Sequence, residues 1–315
     1  MRILLAVSGG IDSMYLASRA PELFPGASLA VAHCNFRLRG TESDGDENFV
    51  REWCGEHGIP LLIKQFETAA YASEHGISIE MAARELRYAW FAELCSAEGF
   101  DALAVAHNAN DNAETLMLNL LRGTGSKGMR GIAARSTMKV PGCENALTIL
   151  RPMLKITRDE IRAWMQANGQ LWREDRTNAE NDCKRNVIRN RVFPILKEIN
   201  PSFIQTLGAD MARFAQADDI AEDYLASAGL DPESIEVDRL LALKHWEFVL
   251  WRLLEPYSFS QPTFGKLVTL LRRFREEPRG TVTLGGKTFQ SPTHTLKARR
   301  RRLVISKKTQ TSTIE

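Results

Sequence analysis

The sequence predicts an α/β protein with a doubly wound, mostly parallel sheet, followed by a second, mainly helical domain that ends in a short β-hairpin region. Short apolar strands alternate with helical patterns near the N-terminus, which indicates βαβ units. The predicted strands are Ile3–Val7, Leu29–His33, Leu61–Gln65 and Ala102–Ala106, with helical patterns at 13–20, 44–57 and 80–97. Ligands of such sheets bind at the carboxyl ends of the strands.

The length of 315 residues suits two domains, and the sequence Asn200-Pro201-Ser202 places their boundary between 1–200 and 201–315. Helices are predicted at 112–121, 158–168 and roughly 182–197, with an interruption at Pro194, and then through 203–276. Short strands are predicted at 281–284, 287–290 and 303–306, with a hairpin turn at Gly285-Gly286.

Composition favours a cytoplasmic protein. Hydrophobic residues make up 44% and charged residues 25%, which is typical of soluble globular proteins. No apolar run approaches the ~20 residues of a membrane span, and Ile3–Val7 is too short for a signal-peptide core. The five cysteines form no C-x-x-C pair, so we expect reduced thiols and no zinc site.

Basic residues are concentrated after residue 120. Residues 1–120 carry 8 Lys and Arg against 17 Asp and Glu, whereas the remaining 195 residues carry 33 against 22. This asymmetry predicts that a polyanion docks on the second part, although charge runs also form ordinary solvated faces. The run Arg299 to Arg302 is open to the same two interpretations, an RNA contact or a solubilising hairpin.

The strand Ile3–Val7 leads into the sequence Ser8-Gly9-Gly10-Ile11-Asp12-Ser13. A strand that enters a helix through glycines directs backbone N–H groups at one point, which suits a phosphate. The spacing is not that of a Walker loop, and no lysine follows. The sequence S-G-G-x-D-S instead resembles the PP-loop of ATP pyrophosphatases, which split ATP into AMP and pyrophosphate.

Three further segments follow strands or form helix faces. The segment His33 to Gly40 could contact adenine and phosphate, or be a surface loop. In the helix at 79–88, Arg87 could hold ATP, or belong to an ion-paired surface with Glu80 and Arg84. The turn His107 to Thr115 carries one histidine, acids and three amides, which suit either helix capping or metal and acid–base chemistry.

Together these motifs resemble the tRNA(Ile)-lysidine synthetase family over roughly residues 1–205. The resemblance is carried by the phosphate loop, HCNFRLRG, IEMAARELRYAWF, AHNANDNAETLMLNLLRGTGSKGMRGI, RPMLKITRDEIRAW and NDCKRNVIRNRVFPILKEINPSF, in that order. The tail TFQSPTHTLKARRRRLVIS resembles part of the C-terminal region of the family.

The resemblance implies an enzyme that attaches free L-lysine to carbon 2 of the wobble cytidine of tRNA(Ile) with a CAU anticodon. ATP first adenylates the oxygen on carbon 2 and releases pyrophosphate, and the lysine ε-amine then displaces AMP. The resemblance implies ATP and Mg²⁺ as cofactors, and it is compatible with a homodimer.

The resemblance also assigns candidate residues. Catalytic roles fall to Asp12, His107 and Asp111, and metal binding falls to Asp12 and Asp111, with the roles of His107 and Asp111 exchangeable. The predicted nucleotide-binding residues are Ser8, Gly9, Gly10, Ile11, Asp12, Ser13, His33 and Arg87. The predicted tRNA-binding residues are Arg122, Lys127, Arg130, Arg185, Asn186, Arg189 and Arg191.

One departure affects the catalytic turn. The family pattern His-His-x-Asp-Asp-Gln is replaced by His107-Asn108-Ala109-Asn110-Asp111-Asn112. An amide can ligate a metal but carries no charge and cannot act as a base. Either Asp111 carries the function, or the chain is a catalytically weakened tRNA-binding homologue. The other alternative is a tRNA cytidine thiolase, for which the cysteine spacing lacks the expected cluster pattern.

Overall fold

The computed structural model describes residues 1–174, 184–277 and 281–308. The chain divides into two compact units, Met1–Gln216 and Ala217–Glu315. In the described residues, no helix is long and apolar enough to cross a membrane.

The first unit contains a six-stranded sheet. Its strands are β1 (Arg2–Ala6), β2 (Ser28–Asn35), β3 (Leu61–Gln65), β4 (Ala102–Ala104), β5 (Arg135–Met138) and β6 (Leu147–Leu150). Their order is β3-β2-β1-β4-β6-β5, and all neighbours are parallel except β5 and β6. The predicted doubly wound sheet is therefore confirmed. The sequence did not predict β5 and β6, which are short and flank a glycine-containing turn.

Helices alternate with these strands and follow them, and the last helix continues past Gln216 into the second unit. They are α1 (Ile11–Leu23), α2 (Thr41–His57), α3 (Thr68–His75), α4 (Ile79–Ala97), α5 (Ala109–Arg122), α6 (Ser126–Met129), α7 (Arg158–Ala167), α8 (Lys184–Val187), α9 (Phe193–Ile199) and α10 (Phe203–Ala228). A π-helical turn, Ile188–Val192, joins α8 to α9, and Pro194 lies in the first turn of α9. Residues 182 and 183 of the predicted helix at 182–197 lie outside the described ranges.

The alternation of side chains along β1 explains why both faces of the sheet are covered. Ile3 and Leu5 are fully buried in a layer with α1, α2 and α7. Leu4 is buried on the opposite face with Tyr88 and Phe91 of α4. Successive strand residues point to opposite faces, so a run of apolar residues needs two helical layers.

The second unit contains a four-stranded antiparallel sheet with the order β7-β10-β9-β8. Its elements are β7 (Ser234–Glu236), α11 (Val237–Leu241), α12 (Trp246–Leu254), α13 (Gln261–Glu276), β8 (Thr288–Gln290), β9 (His294–Arg299) and β10 (Arg302–Lys307). Trp246 and Leu254 are buried in its core, whereas Phe248 and Trp251 are partly exposed.

Two predictions for the second unit were wrong. Residues 281–284 form no strand; Leu284 is instead buried as a core anchor, and the turn at Gly285-Gly286 lies beside β9, where Gly286 N–H bonds to Ala298 O. The strand β7 interrupts the predicted helical stretch at 203–276. The hairpin joins β9 to β10 and turns at Arg300, whose φ is 52°.

Candidate active site at the switch point of the sheet

The phosphate loop is held by the hydroxyl of Ser13. Its Oγ donates to Gly10 O at 2.8 Å and accepts the Ser8 N–H at 3.1 Å. Gly9 has a φ of +91°, a conformation that L side chains rarely adopt. The loop therefore turns directly into α1, whose first N–H groups have no acceptor within the helix and are directed toward the mouth of the loop.

A cleft of about 770 Å³ lies beside this loop. It occupies the edge of the sheet where β1 and β4, the neighbours at which the strand order reverses, both end. Such switch points are the usual ligand sites of open α/β sheets. One part of the lining is apolar, with Phe36, Tyr88 and Phe91, and the other part carries Arg87, Arg158, Arg162, Arg173, Arg189, Asp12 and His107.

Asp12 lies where the phosphate loop meets the turn after β4. Its Oδ1 accepts a 3.0 Å hydrogen bond from Asn108 Nδ2, and its Oδ2 lies 3.7 Å from Arg158 Nη2. Burial raises the pKa of Asp12, while the charge of Arg158 opposes that increase. The structure therefore brings together two segments that are almost a hundred residues apart in the sequence.

The three asparagines of the catalytic turn each make a specific hydrogen bond. Asn108 caps α5, exchanging bonds with Asp111 in a capping box. Asn110 Oδ1 accepts the N–H of Arg158 at 3.0 Å, and Asn112 Oδ1 accepts the N–H of Ile132 at 2.6 Å. The amides therefore connect this turn to α7 and to the segment that precedes β5.

The capping box occupies one oxygen of Asp111, whose Oδ1 lies 3.3 Å from Arg189 Nη2. One turn along α5, Glu114 is fully buried, and it accepts bonds from Arg189 at 2.6 and 3.1 Å. Arg185 lies 3.4 Å from the same carboxylate. Sequence reasoning missed Glu114, although its i, i+3 spacing from Asp111 on a helix was a signal for it.

His107 is largely buried in the cleft, and within the described residues its Nδ1 has no hydrogen-bond partner. Burial lowers the pKa of His107 to about 4; the charge of Asp111 opposes this shift, and those of Arg151, Arg185 and Arg87 reinforce it. The imidazole is therefore neutral at neutral pH and has a lone pair or an N–H available to a ligand.

The low pKa of His107 predicts a pH-dependent stability. Between about pH 4 and 6.5 the unfolded chain binds a proton that the native chain does not, so the free energy of unfolding rises with pH in this window. The free energy of unfolding is therefore about 3 kcal/mol lower below pH 4 than above pH 6.5 because of this group. Urea unfolding at several pH values in this window gives the free energy of unfolding as a function of pH. That pH dependence should be weaker in His107→Gln than in wild type, and unchanged in His75→Gln, which replaces an exposed histidine. Equal slopes for wild type and His107→Gln would contradict the assignment.

The predicted nucleotide residues His33 and Arg87 lie in different surroundings. His33 is 2% exposed, and its Nδ1 bonds to Val7 O at 2.8 Å, so it braces the base of the phosphate loop. Burial lowers its pKa. Arg87 lines the cleft, and its guanidinium lies 5.4 Å from the centre of the Tyr88 ring.

The predicted RNA-binding residues form two groups. Arg122, Lys127 and Arg191 are exposed, and Arg130 and Asn186 are half-buried. Arg189 and Arg185 bind Glu114, and Arg189 also lines the cleft. Arg189 lies in the π-helical turn and reaches the buried Glu114, whereas Arg191 of the same turn is exposed. The sequence alone had grouped all these residues as one RNA-binding surface.

Asp12 could serve as a magnesium ligand, but the described residues do not provide a complete set of protein ligands for the ion. Across the described ranges, no group of three or more His, Cys, Asp or Glu side chains could hold a metal. Mg²⁺ commonly binds one or two carboxylates together with substrate phosphates and water. Asp12, beside the phosphate loop, fits this donor set; both oxygens of Asp111 already have partners.

A braced phosphate loop, a switch-point cleft and a charged turn define an ATP-binding protein of the PP-loop class. A family profile described as a PP-loop domain matches residues 1–196, and one described as a TilS substrate binding domain matches residues 231–308. Since the first match covers more than half of the chain, the protein belongs to the PP-loop domain family.

Curated relatives named tRNA(Ile)-lysidine synthase support the resemblance seen in the motifs. The protein from Parabacteroides distasonis is 37% identical over 93% of this chain and 63% of its own length. The protein from Bacteroides thetaiotaomicron is 40% identical over 82% of this chain and 59% of its own length. The chain thus spans about three fifths of the curated relatives that it matches.

A solved structure supports the fold. A U34-tRNA thiolase from Methanococcus maripaludis superposes with a TM-score of 0.55 and 18% identity, over 69% of this chain and 73% of the other. The four described cysteines of the present chain are all free. Cys183 lies outside the described residues.

Proposed function

We propose that this chain is a cytoplasmic ligase that joins L-lysine to carbon 2 of the wobble cytidine of tRNA(Ile) bearing a CAU anticodon. ATP supplies the energy, and AMP and pyrophosphate are released. One observation carries the proposal: the phosphate loop and the turn at His107 line a single cleft, in a chain whose relatives are named for this reaction.

In the first step, oxygen 2 of the cytidine attacks the α-phosphorus of ATP. A bond from oxygen to phosphorus forms, the bond between the α-phosphorus and the bridging oxygen breaks, and pyrophosphate leaves with that electron pair. The N–H groups at the start of α1 would hold the phosphates, and the apolar lining by Phe36, Tyr88 and Phe91 would receive the adenine. Mg²⁺, held by Asp12, would neutralise phosphate charge when bound.

In the second step, the lysine ε-amine attacks carbon 2, and the bond from carbon 2 to oxygen breaks as AMP leaves. The amine has an ordinary pKa near 10.4, so one proton must pass to water before the attack, and a second proton leaves the nitrogen to water as AMP departs. The arginines that lower the pKa of His107 would act in the same direction on an ammonium beside it. Neutral His107 would then accept a hydrogen bond from the amine and align it.

The RNA would lie against exposed cations of the first unit, such as Arg122, Lys127 and Arg191. The β9–β10 hairpin, with its turn at Arg300, would add a contact in the second unit, in which Arg301 and Arg302 also pair with Asp238 and Glu236. Phosphate contacts of this kind make the affinity for RNA depend on salt concentration but do not discriminate between RNA sequences.

A homodimer is part of the proposal only through the family resemblance, and sedimentation would test it.

The direct test combines the purified chain with ATP, magnesium chloride, labelled lysine and an isoleucine tRNA transcript with a CAU anticodon. The expected result is lysine incorporation with one AMP and one pyrophosphate released per lysine. A methionine tRNA transcript with the same anticodon is the matched control and should acquire no label.

Two outcomes would overturn this function. RNA binding without ATP cleavage would identify a tRNA-binding homologue without ligase activity. ATP cleavage that depends on the tRNA but incorporates no lysine would identify a different PP-loop modification, such as thiolation of a cytidine.

A further inference from the structure

Arg158 forms a long and readily exchanged contact with Asp12. The 3.7 Å between its Nη2 and Asp12 Oδ2 exceeds hydrogen-bond length, and both side chains are about one quarter exposed. Arg158 lines the same cleft as Ser8, Gly10 and Ser13 of the phosphate loop. Arg158 therefore stands close enough to neutralise Asp12, yet no strong bond holds it there.

The backbone of Arg158 is fixed more firmly than its side chain. Arg158 is the first residue of α7, which begins with a capping box between Thr157 and Glu160. Asn110 Oδ1 accepts the Arg158 N–H at 3.0 Å. An anchored Cα with an exchangeable guanidinium lets one arginine serve two partners in the same cleft.

We propose that Arg158 is a catalytic residue that leaves Asp12 and binds the pyrophosphate oxygens as the bond to the α-phosphorus breaks, and that Asn110 positions it. This inference rests on the proposed ATP chemistry. The electron pair of the broken bond goes to the leaving pyrophosphate, to which Arg158 donates hydrogen bonds without transferring a proton. A planar guanidinium matches phosphate oxygens in two parallel bonds.

The ion pairs of the other arginines in the cleft favour the movement of Arg158 from Asp12 to pyrophosphate. In the described structure, Asp12 faces Arg158, whereas Arg189 is committed to Glu114 and Asp111. Arg173 is engaged by Asp46. Of these three arginines, Arg158 has the stronger charge interaction with Asp12, and Arg189 has a weaker one. Binding of a magnesium nucleotide would engage Asp12 and release Arg158 to the phosphates.

Titration with magnesium pyrophosphate and with AMP, in the absence of RNA and lysine, tests the contact. Arg158→Gln should weaken pyrophosphate binding by about 30-fold and AMP binding by less than about 3-fold, and should lower kcat for ATP cleavage by about 100-fold. Lys155→Gln removes the same charge from an exposed site outside the cleft lining and should change neither affinity.

Arg162→Gln separates a direct contact from the total charge of the cleft. Arg162 lies one turn along α7 and lines the same cleft. A smaller loss of pyrophosphate affinity in Arg162→Gln than in Arg158→Gln supports the proposal. Equal losses in the two variants, or equal losses for pyrophosphate and AMP in Arg158→Gln, would overturn it.

Asn110 is tested by the pair Asn110→Ala and Asn110→Asp. Alanine removes the acceptor for the Arg158 N–H and should lower kcat by about 10-fold with ATP KM changed less than about 2-fold. Aspartate keeps the acceptor and should restore kcat to within about 3-fold of wild type. In an Arg158→Gln background, Asn110→Ala should lower kcat by less than about 2-fold; an undiminished 10-fold loss would show that Asn110 does not act through Arg158.

Failure of this inference and failure of the proposed function give different results. Absence of lysine incorporation, with the pyrophosphate effect of Arg158→Gln intact, would overturn the function and leave the contact standing. Normal lysine incorporation by Arg158→Gln would overturn the inference alone.

Discussion

Replacing Asp12 with asparagine should abolish ATP cleavage while leaving RNA affinity nearly unchanged. The substitution keeps the shape of the side chain but removes the carboxylate that lies between Asn108 and Arg158. Without that charge the loop loses its magnesium ligand, and we expect kcat to fall about 1,000-fold or more. Asp12 is not part of the predicted RNA surface, so the dissociation constant for tRNA should change less than about 3-fold.

The measurement is pyrophosphate release beside tRNA binding at one fixed salt concentration. Lys127→Gln is the comparison variant, because Lys127 is exposed in α6 and does not line the cleft. It should reduce the salt dependence of RNA binding and preserve pyrophosphate release at saturating RNA. Equal losses of cleavage and RNA affinity in Asp12→Asn would contradict a division between catalytic cleft and RNA surface.

Replacing Gly131 with alanine should destabilise the first unit by about 3 kcal/mol or more. A Cβ at Gly131 would lie 2.3 Å from Asn112 Oδ1 and 2.4 Å from Met211 Sδ, and its φ of +70° disfavours any L side chain. Met211 is buried, and Asn112 cannot move without losing its bond to the Ile132 N–H. The segment between α6 and β5 would then lose its attachment to the catalytic turn.

Urea unfolding compares Gly131→Ala with Gly142→Ala. Gly142 has a φ of +81°, but a Cβ added there would meet no heavy atom within 4 Å. Its alanine variant therefore reports the backbone cost alone, about 1 kcal/mol. A difference of less than about 1 kcal/mol between the variants would show that the packing around Gly131 relaxes freely.

The periodicity of apolar residues was enough to predict β1 to β4 and the helices α1, α2 and α4, whereas the eight-residue helix α3 was missed. The central strands β1 and β4 are buried on both faces, so their sequences are continuous apolar runs, such as Ile3 to Leu5. The strands β5, β6 and β7 were missed because they have only three or four residues, and β9 was missed because it carries polar residues on an exposed face. Pairing partners, rather than local sequence, determine such strands.

The candidate site was predictable to the level of segments. Asp12 and His107 follow neighbouring strands, and the structure brings both to one cleft. The individual roles were not predictable, because the three amides Asn108, Asn110 and Asn112 use partners from distant segments. Glu114 and Arg158 were missed for the same reason, since each acquires its significance from a contact with another element.

The sequence alone determined the class of protein, because a phosphate loop needs its glycines, serines and acid in consecutive positions after a strand. The position of every cation was decided by the tertiary structure. Arg189 and Lys127 were both predicted from the sequence to bind RNA, yet Arg189 binds the buried Glu114 and Lys127 is exposed. Whether a basic side chain acts in the cleft or contacts RNA depends on the groups within a few ångströms of it. Only folding brings those groups together.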